Sequence, residues 1–177
     1  MAQAKPSTGG VRGRGAGVLL RPALAKDLAE INEIYNYSVR HSTCTYQLKP
    51  DTLAQRRAWF RAHDTQHPVI VAVCGGVVGW GALSKFHPRA AYRFTAEDSI
   101  YVRHDRQRRG IGRALLEELL VRGRRAGLHS VLAVIDAEQT HSMALHRRLG
   151  FVEAGKIREV GWKQERWLDV VYLQRML

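Results

Sequence analysis

Cysteine is scarce in this sequence, with two residues in 177, and no apolar run approaches the length that crosses a membrane. Cys44 and Cys74 lie far apart, and neither has a partner at a metal-ligand or CxxC spacing. We therefore predict reduced, mostly buried thiols and no metal site. The first residues also lack the apolar stretch of a secretory signal, so we predict a cytoplasmic protein with no membrane partner.

Acidic residues are also few, since 16 Asp and Glu face 28 Lys and Arg, for a net charge of +12. Three of the positive charges lie in residues 1–17, which contain five glycines, no aromatic residue and no periodic apolar pattern. Such a segment cannot bury enough surface to offset the entropy lost on ordering, so we predict a disordered Gly/Arg-rich tail. Residues 18–177 are enough for a single domain. Its remaining excess of positive charge suggests an anionic partner, either nucleic acid or a polyphosphorylated small molecule.

The apolar patterns of residues 18–177 predict an α/β fold around one mixed sheet. A short strand at 18–21 precedes two helices, each introduced by residues typical of a capping box, at 27–30 and 52–55. Between these helices, residues 41–48 have no helical period and predict a loop that can face a pocket.

A β-hairpin is predicted on either side of the Gly75-Gly76 turn. Gly79 and Gly81 interrupt its second strand, where glycine marks a bulge or a close backbone approach. The rest of the chain predicts a strand ending at residue 102, a helix from 111, a buried strand at 130–135, a helix at 142–149 and two final strands.

The stretch RHDRQRRGIGR, residues 103–113, lies between a predicted strand and an amphipathic helix. Free amide groups and the positive end of the helix dipole both attract an anion there, and glycine lets the backbone approach a phosphate closely. The stretch lacks the lysine and Ser/Thr of a P-loop and the three-glycine spacing of a dinucleotide-binding loop. Pyrophosphate bound without a metal is the favoured interpretation, and a solvated basic turn or a nucleic-acid patch remains open.

The same stretch carries a family resemblance. A strand ending in hydrophobic-Tyr-Val, then Q/R-x-x-G-x-G/A opening a helix, resembles the acetyl-CoA site of the GNAT superfamily, and residues 144–151 are similar to its second signature. Residues 35–46, 89–97 and 161–171 resemble the phosphinothricin or methionine sulfoximine N-acetyltransferases. The resemblance implies the GNAT fold, a mixed and mostly antiparallel twisted sheet flanked by helices. It also implies acetyl-CoA as co-substrate and a homodimer.

The resemblance further implies where acetyl-CoA is held. The backbone of Ile100, Tyr101 and Val102 would pair with the pantetheine arm. Gln139 stands where the family commonly has an asparagine that contacts this arm, and its side chain is one methylene longer. The pyrophosphate would be held by the loop residues Gln107, Arg108, Arg109, Gly110, Ile111, Gly112 and Arg113.

An ammonium group must lose a proton before its nitrogen can attack a thioester, so the reaction needs a base. From the residues alone, Glu97 could be that base or a partner in a structural ion pair, and the resemblance implies the base. It also implies that His146 protonates the departing thiolate, which a histidine can do near neutral pH. We expect a strand amide near Val102 to stabilise the charge that develops on the acetyl oxygen.

The implied acceptor is a small amino-acid-like amine such as phosphinothricin, methionine sulfoximine or methionine sulfone. Arg89 could hold its carboxylate or phosphinate with two hydrogen bonds, and Tyr46 and Tyr92 could pack on its apolar carbons. Arg89 could equally be a solvated loop residue. A protein N-terminus or an antibiotic amine as acceptor and a non-catalytic acyl-CoA sensor remain open. We expect no nucleic-acid partner, because the aromatic residues lack the regular spacing of a stacking platform.

Overall fold

In a computed structural model of the protein, which describes residues 10–13 and 17–177, eight strands form one sheet in the order β1-β2-β3-β4-β5-β6-β8-β7. Every neighbouring pair is antiparallel except β5 and β6, so the prediction of a mixed, mostly antiparallel sheet is confirmed. The strands are β1 (Val11–Arg12), β2 (Leu19–Pro22), β3 (Val69–Val73), β4 (Val77–Lys85), β5 (Thr95–Val102), β6 (Ser130–Asp136), β7 (Val152–Lys163) and β8 (Arg166–Met176). The helices are α1 (Leu28–His41), α2 (Leu53–Arg61), α3 (Ile111–Arg125) and α4 (Thr140–Arg148).

Strand β1 lies inside the segment that the sequence predicts to be a disordered tail. Val11 and Arg12 pair with Leu20 and Leu19 of β2, so hydrogen bonding to a sheet edge orders a segment that has little apolar surface of its own. Residues 1–9 and 14–16 of the predicted tail lie outside the described residues. The division of the chain into a tail and a single domain stays a prediction.

Helices cover both faces of the sheet. On one face α3 buries the apolar stripe predicted for it, and Leu115, Leu116 and Leu119 are fully inaccessible. On the other face α1 packs Ile31 and Ile34 against Trp80 of β4. Because strand side chains alternate between the faces, β3 and β4 contribute to both cores.

The two glycines of β4 allow α3 to lie close to the sheet. A Cβ atom built on Gly81 would lie 2.9 Å from Leu119 Cδ1, and one on Gly79 would lie 3.1 Å from the Tyr101 carbonyl oxygen. The pairing of β4 with β5 continues through both positions without a register shift. On the other side of β4, the pairing with β3 shifts register beside Gly79, between Ala72 and Val73. Close approach therefore explains Gly81, whereas at Gly79 a close approach and a strand irregularity occur together.

The two predicted capping boxes have different outcomes. Thr52 and Gln55 form one at the start of α2, as predicted. At α1 the prediction is wrong, because the Asp27 carboxylate instead receives two hydrogen bonds from the Arg21 guanidinium, at 2.7 and 2.8 Å. The Glu30 carboxylate accepts a hydrogen bond from the Val77 amide at 2.7 Å. Both acids therefore tie the first turn of α1 to the sheet.

Both cysteines are free thiols. Cys44 is partly buried, whereas Cys74 is exposed beside the Gly75-Gly76 turn, so the prediction of mostly buried thiols is wrong for Cys74. The turn exposes it because β3 ends one residue earlier, at Val73. Across the described residues, no helix has the length and apolar character needed to span a membrane.

Strands β5 and β6 separate along their length, and this separation positions the site. They pair only at their beginnings, where Thr95, Ala96 and Glu97 face residues 130–132. Beyond Glu97, β5 remains paired with β4, and β6 with β8. The carboxyl-terminal halves of the two parallel strands therefore enclose an opening in the middle of the sheet.

Candidate active site

A cavity of about 260 Å³ lies at the opening between β5 and β6. The loop after α1 forms one wall, which confirms the prediction that this loop faces a pocket, and α4 forms another. The lining residues are 43–46, 97–101 and 133–136, together with Gln139, Ser142, His146 and Val170.

The structure brings together at this cavity six of the residues predicted from the sequence. These are Tyr46, Glu97, Ile100, Tyr101, Gln139 and His146. Val102 is the last residue of β5, and the basic loop follows it directly.

Arg89 and Tyr92 do not line this cavity, and their predicted place in the acceptor pocket stays a prediction. Both are exposed in the loop that joins β4 to β5. The Tyr92 ring packs instead on His87 and Phe86, with ring centroids 4.7 and 5.8 Å away, and the Arg89 amide donates a hydrogen bond to His87 Nδ1. Contacts within this loop thus hold the Tyr92 ring and the backbone of Arg89.

Glu97 lies at the point where the two strands begin to separate. Burial, and then the negative charge of the adjacent Asp98, raise the pKa of the Glu97 carboxyl group above its ordinary value. Within the described part of the chain, Glu97 takes part in no ion pair. A carboxylate with a raised pKa is a stronger base, so this environment suits proton abstraction better than a structural role.

His146 projects from α4 into the same cavity and is 3% exposed. Its Nδ1 lies 2.7 Å from the Ser142 carbonyl oxygen and its Nε2 lies 3.1 Å from Asp98 Oδ2. Burial alone would lower the pKa of the imidazole, but the hydrogen bond to Asp98 and its charge outweigh burial and raise the pKa. The ring is therefore able to hold a proton beside the cavity.

The basic loop has the backbone geometry of an anion-binding turn. Arg108 and Gly110 adopt left-handed conformations, with φ of 58° and 77°, immediately before α3. The first backbone hydrogen bond of the helix runs from the Ala114 amide to the Gly110 carbonyl oxygen, at 3.0 Å. The amides of residues 111–113 therefore have no partner within the helix and are available to an anion.

One side chain, that of Arg108, connects this loop to α4, and Gly112 leaves space beside it. The Arg108 guanidinium lies 3.2 Å from His141 Nε2 at the start of α4, which links the loop to the second helix beside the cavity. A Cβ atom on Gly112 would meet only ordinary contacts, the nearest being Leu145 Cδ2 at 3.5 Å. Packing within the protein does not require glycine at position 112, which is consistent with space kept for a ligand.

The open edge of β5 provides backbone groups for an extended ligand. The Arg103 amide donates to the Val78 carbonyl oxygen on β4, at 3.0 Å. Because successive amides of a strand point in opposite directions, those of Ile100 and Val102 point towards β6. β6 has already separated from β5 at this level, so both amides face the opening.

Sequence reasoning missed the polar residues Thr43, Asp98 and Ser142 of the cavity wall. The Thr43 hydroxyl accepts a hydrogen bond from Gln139 Nε2 at 3.1 Å, so the longer amide of Gln139 reaches across the wall. The sequence does contain one indication of Asp98, because a second carboxylate beside Glu97 in a buried strand requires a polar partner. That partner, His146, is 48 residues away in the sequence.

The Tyr46 ring lies in the cavity wall and is positioned by a glycine. Its hydroxyl donates to the Asp169 carbonyl oxygen at 3.0 Å. The ring lies so close to Gly161 of β7 that a Cβ atom there would overlap Tyr46 Cδ2 and Cε2. Gly161 therefore permits the observed position of Tyr46. No group of three or more His, Cys, Asp or Glu among residues 10–13 and 17–177 could hold a metal ion.

Comparison with known proteins agrees with this geometry. The Acetyltransferase (GNAT) family matches residues 28–151. An L-methionine sulfoximine/L-methionine sulfone acetyltransferase from Pseudomonas paraeruginosa is 40% identical over 158 residues, covering 88% of this chain and 92% of its own. A phosphinothricin N-acetyltransferase from Alcaligenes faecalis is 37% identical over 154 residues, covering 85% of this chain and 78% of its own.

A solved structure extends the comparison to the whole fold. The GNAT superfamily phosphinothricin acetyltransferase from Sinorhizobium meliloti, in complex with acetyl-CoA, superposes with a TM-score of 0.88 at 40% identity, covering 90% of this chain and 88% of its own. The chain therefore belongs to the GNAT family and is an acetyl-CoA-dependent N-acetyltransferase.

Proposed function

We propose that the protein acetylates the primary amine of a small amino-acid-like acceptor of the phosphinothricin, methionine sulfoximine or methionine sulfone type. The observation that carries the proposal is the placement of Glu97, a carboxylate with a raised pKa, in the opening between β5 and β6. The names of the relatives from Pseudomonas paraeruginosa and Alcaligenes faecalis support this class of acceptor.

Each part of the site has one task in this reaction. Acetyl-CoA, when bound, supplies an activated acetyl group as a thioester. The amides of the basic loop hold its pyrophosphate, and the open β5 edge pairs with its arm through the backbone of Ile100. Glu97 accepts a proton from the acceptor amine, and the Val102 amide stabilises the negative charge that develops on the acetyl oxygen. His146 donates a proton to the leaving sulfur.

Transfer is direct in this scheme, and the enzyme forms no covalent bond to the acetyl group. Cys44 lines the cavity, whereas Cys74 does not, so Cys44 is the thiol that a route through an acetylated cysteine would use. Mass spectrometry of the enzyme quenched during turnover should find no acetylated cysteine. Acetyl-Cys44 formed and consumed at the rate of turnover would contradict direct transfer.

The acceptor class is tested by measuring thiol release from acetyl-CoA over a panel of amines. Methionine sulfoximine, methionine sulfone and phosphinothricin should give a higher kcat/KM than peptides with a free N-terminus and aminoglycoside antibiotics. Preferential turnover of peptides or aminoglycosides would contradict the proposed acceptor class but would still agree with acetyl transfer to an amine. Binding of acetyl-CoA with no release for any amine would favour the acyl-CoA sensor.

The homodimer and the cytoplasmic location stay predictions, and the surface of β7 and β8 supports the first. Trp162 and Trp167 pair across these strands with ring centroids 5.1 Å apart, yet they are 53% and 59% exposed. Val152, Ile157 and Val160 are also exposed on β7. A soluble monomer rarely leaves such a surface uncovered, so we propose that a second copy covers it.

Sedimentation velocity tests the dimer. The wild-type protein should sediment as a dimer, and Trp162→Lys should sediment as a monomer because a charge would replace an apolar ring in the contact. Val121→Lys is the matched control, since Val121 is 45% exposed but lies on α3. A monomeric wild-type protein at micromolar concentration would contradict the proposal.

Gly161→Ala is expected to lower kcat/KM for the acceptor by about tenfold or more, because the methyl group displaces the Tyr46 ring and shifts the bound amine. KM for acetyl-CoA should stay unchanged. Gly155→Ala on the same strand is the control, since a Cβ atom there meets nothing within 4 Å. In a Tyr46→Ala background the Gly161 substitution should have little further effect. Additive losses would show that Gly161 acts by another route.

A further inference from the structure

We infer that Asp98 is a positioning residue that holds His146 in its doubly protonated form and so prepares it to donate a proton. The inference rests on the proposed acetyl transfer and deepens it. Asp98 and His146 are 8% and 3% exposed, and they come from β5 and α4, on two walls of the same cavity.

The hydrogen bonds of the ring determine its protonation. Nδ1 faces the Ser142 carbonyl oxygen at 2.7 Å, and a carbonyl oxygen only accepts, so Nδ1 carries a hydrogen. Nε2 faces Asp98 Oδ2 at 3.1 Å, and an ionised carboxylate also only accepts, so Nε2 carries a hydrogen too. A ring with hydrogens on both nitrogens is the imidazolium ion. Both contacts therefore favour the charged ring.

The remaining groups of the cavity do not oppose this charge. Its other titratable side chains are Glu97 and Tyr101 on β5, Asp136 on β6, and Cys44 and Tyr46 on the loop after α1. Each of these is neutral or negative, and no lysine or arginine of residues 10–13 and 17–177 lines the cavity. Among the described residues, Asp98 supplies the one side-chain atom within hydrogen-bond distance of a His146 ring nitrogen. Removal of its charge should therefore affect His146 more than removal of a distant carboxylate.

Asp98 also acts on the base of the reaction, because Glu97 is its neighbour in the sequence. Its negative charge contributes to the raised pKa of Glu97. One carboxylate thus makes Glu97 a stronger base and keeps His146 charged. Both effects are lost together if Asp98 is made neutral, and this pairing distinguishes its role from that of a packing residue.

The reaction is a single substitution at the acetyl carbon, with proton transfer at the attacking nitrogen and at the departing sulfur. The amine nitrogen forms a bond to the acetyl carbon while the carbon–sulfur bond breaks. Glu97 takes one proton from the acceptor ammonium group to free its lone pair, and the second proton leaves the nitrogen for solvent as the amide bond forms. The Nε2 hydrogen of His146, which points at Asp98 before the reaction, passes to the departing sulfur to give the free thiol. The neutral ring keeps its Nδ1–H bond to Ser142, and solvent exchange then deprotonates Glu97 and reprotonates Nε2 beside Asp98.

The first test is independent of activity. Nitrogen-15 NMR of the histidine rings in the wild-type protein should show that both nitrogens of His146 stay protonated above the pH at which an ordinary histidine becomes neutral. The His146 signal is assigned by its loss in His146→Gln. In Asp98→Asn the ring should become neutral at a pH about one to two units lower than in the wild type. A neutral His146 ring in the wild type, with the shared proton on Asp98, would overturn the inference.

The second test follows the rate. In Asp98→Asn both limbs of the pH profile of kcat/KM should move to lower pH, the acid limb through Glu97 and the basic limb through His146. Asp64→Asn is the matched control, because Asp64 also binds a buried histidine, His67, at 2.9 Å but lies away from the cavity. Its profile should keep the wild-type midpoints.

The outcomes separate the inference from the proposed function. A lower rate with unmoved limbs in Asp98→Asn would assign Asp98 a structural role only and overturn the inference. If Asp98→Asn does not fold, the wild-type NMR result still decides. If the wild type acetylates no amine, the proposed function fails, while the NMR titration continues to test the contact between Asp98 and His146.

Discussion

Glu97→Gln should lower kcat by about two to four orders of magnitude at pH 7, the range that general base catalysis contributes. Glutamine keeps the size of the side chain but cannot accept the proton of the amine. KM for acetyl-CoA should remain within about twofold of the wild-type value, because proton abstraction is separate from cofactor binding. Steady-state thiol release with a methionine sulfoximine acceptor measures both constants.

The raised pKa of Glu97 determines the direction in which kcat/KM should change with pH. Burial and the charge of Asp98 raise the pKa of Glu97, and a base acts only when it is deprotonated. Wild-type kcat/KM should therefore fall as pH decreases through a midpoint above the ordinary carboxyl range, and Glu97→Gln should lose this limb. The deficit of the variant should shrink at high pH, where the free amine needs no base.

Glu153→Gln is the control for the loss of a glutamate charge, since Glu153 is exposed and pairs with Arg147 on the surface. Its kinetics should match the wild type. A deficit in Glu97→Gln that is the same at every pH would exclude the base role. An unchanged background of thiol release, with tight binding of acetyl-CoA, would favour the acyl-CoA sensor instead.

The parts of the fold that the sequence predicted are those that local physics determines. The stripe of apolar residues on α3, the capping box at Thr52 and the Gly75-Gly76 turn depend on residues within a few positions of each other. The turned backbone of the basic loop before α3 belongs to the same class, because Gly110 and the helix start lie within one short segment.

The parts that were missed depend on contacts between distant segments. Asp27 and Glu30 have the spacing of a capping box, but Arg21 and the Val77 amide bind them more favourably in the folded chain. The contact between Asp98 and His146 joins a position on β5 to a position on α4, and these two positions come together only in the folded chain. Arg89 and Tyr92 matched a family pattern, whereas the structure packs them within their own loop, and their role in the acceptor pocket stays a prediction.

Substitution of Gly112 should separate stability from cofactor binding. Gly112 is the second residue of α3, and a Cβ atom there would lie no closer than 3.5 Å to Leu145. Alanine should thus be accepted and raise the free energy of unfolding by up to about 1 kcal/mol, since glycine is a poor helix former. Aspartate should be similarly stable, because a carboxylate near a helix N-terminus is favoured by about 0.3–1 kcal/mol. Urea unfolding measures both.

Acetyl-CoA binding should respond in the opposite direction. The carboxylate of Gly112→Asp would occupy the free amides of α3 and repel the pyrophosphate, so calorimetry should show the dissociation constant rise at least about 100-fold, or about 2.7 kcal/mol. Gly112→Asn has the same shape without the charge and should lose roughly tenfold from crowding alone. Equal affinities for the aspartate and asparagine variants would show that the anion binds elsewhere. A larger loss for aspartate in a protein of undiminished stability would locate the pyrophosphate at the start of α3.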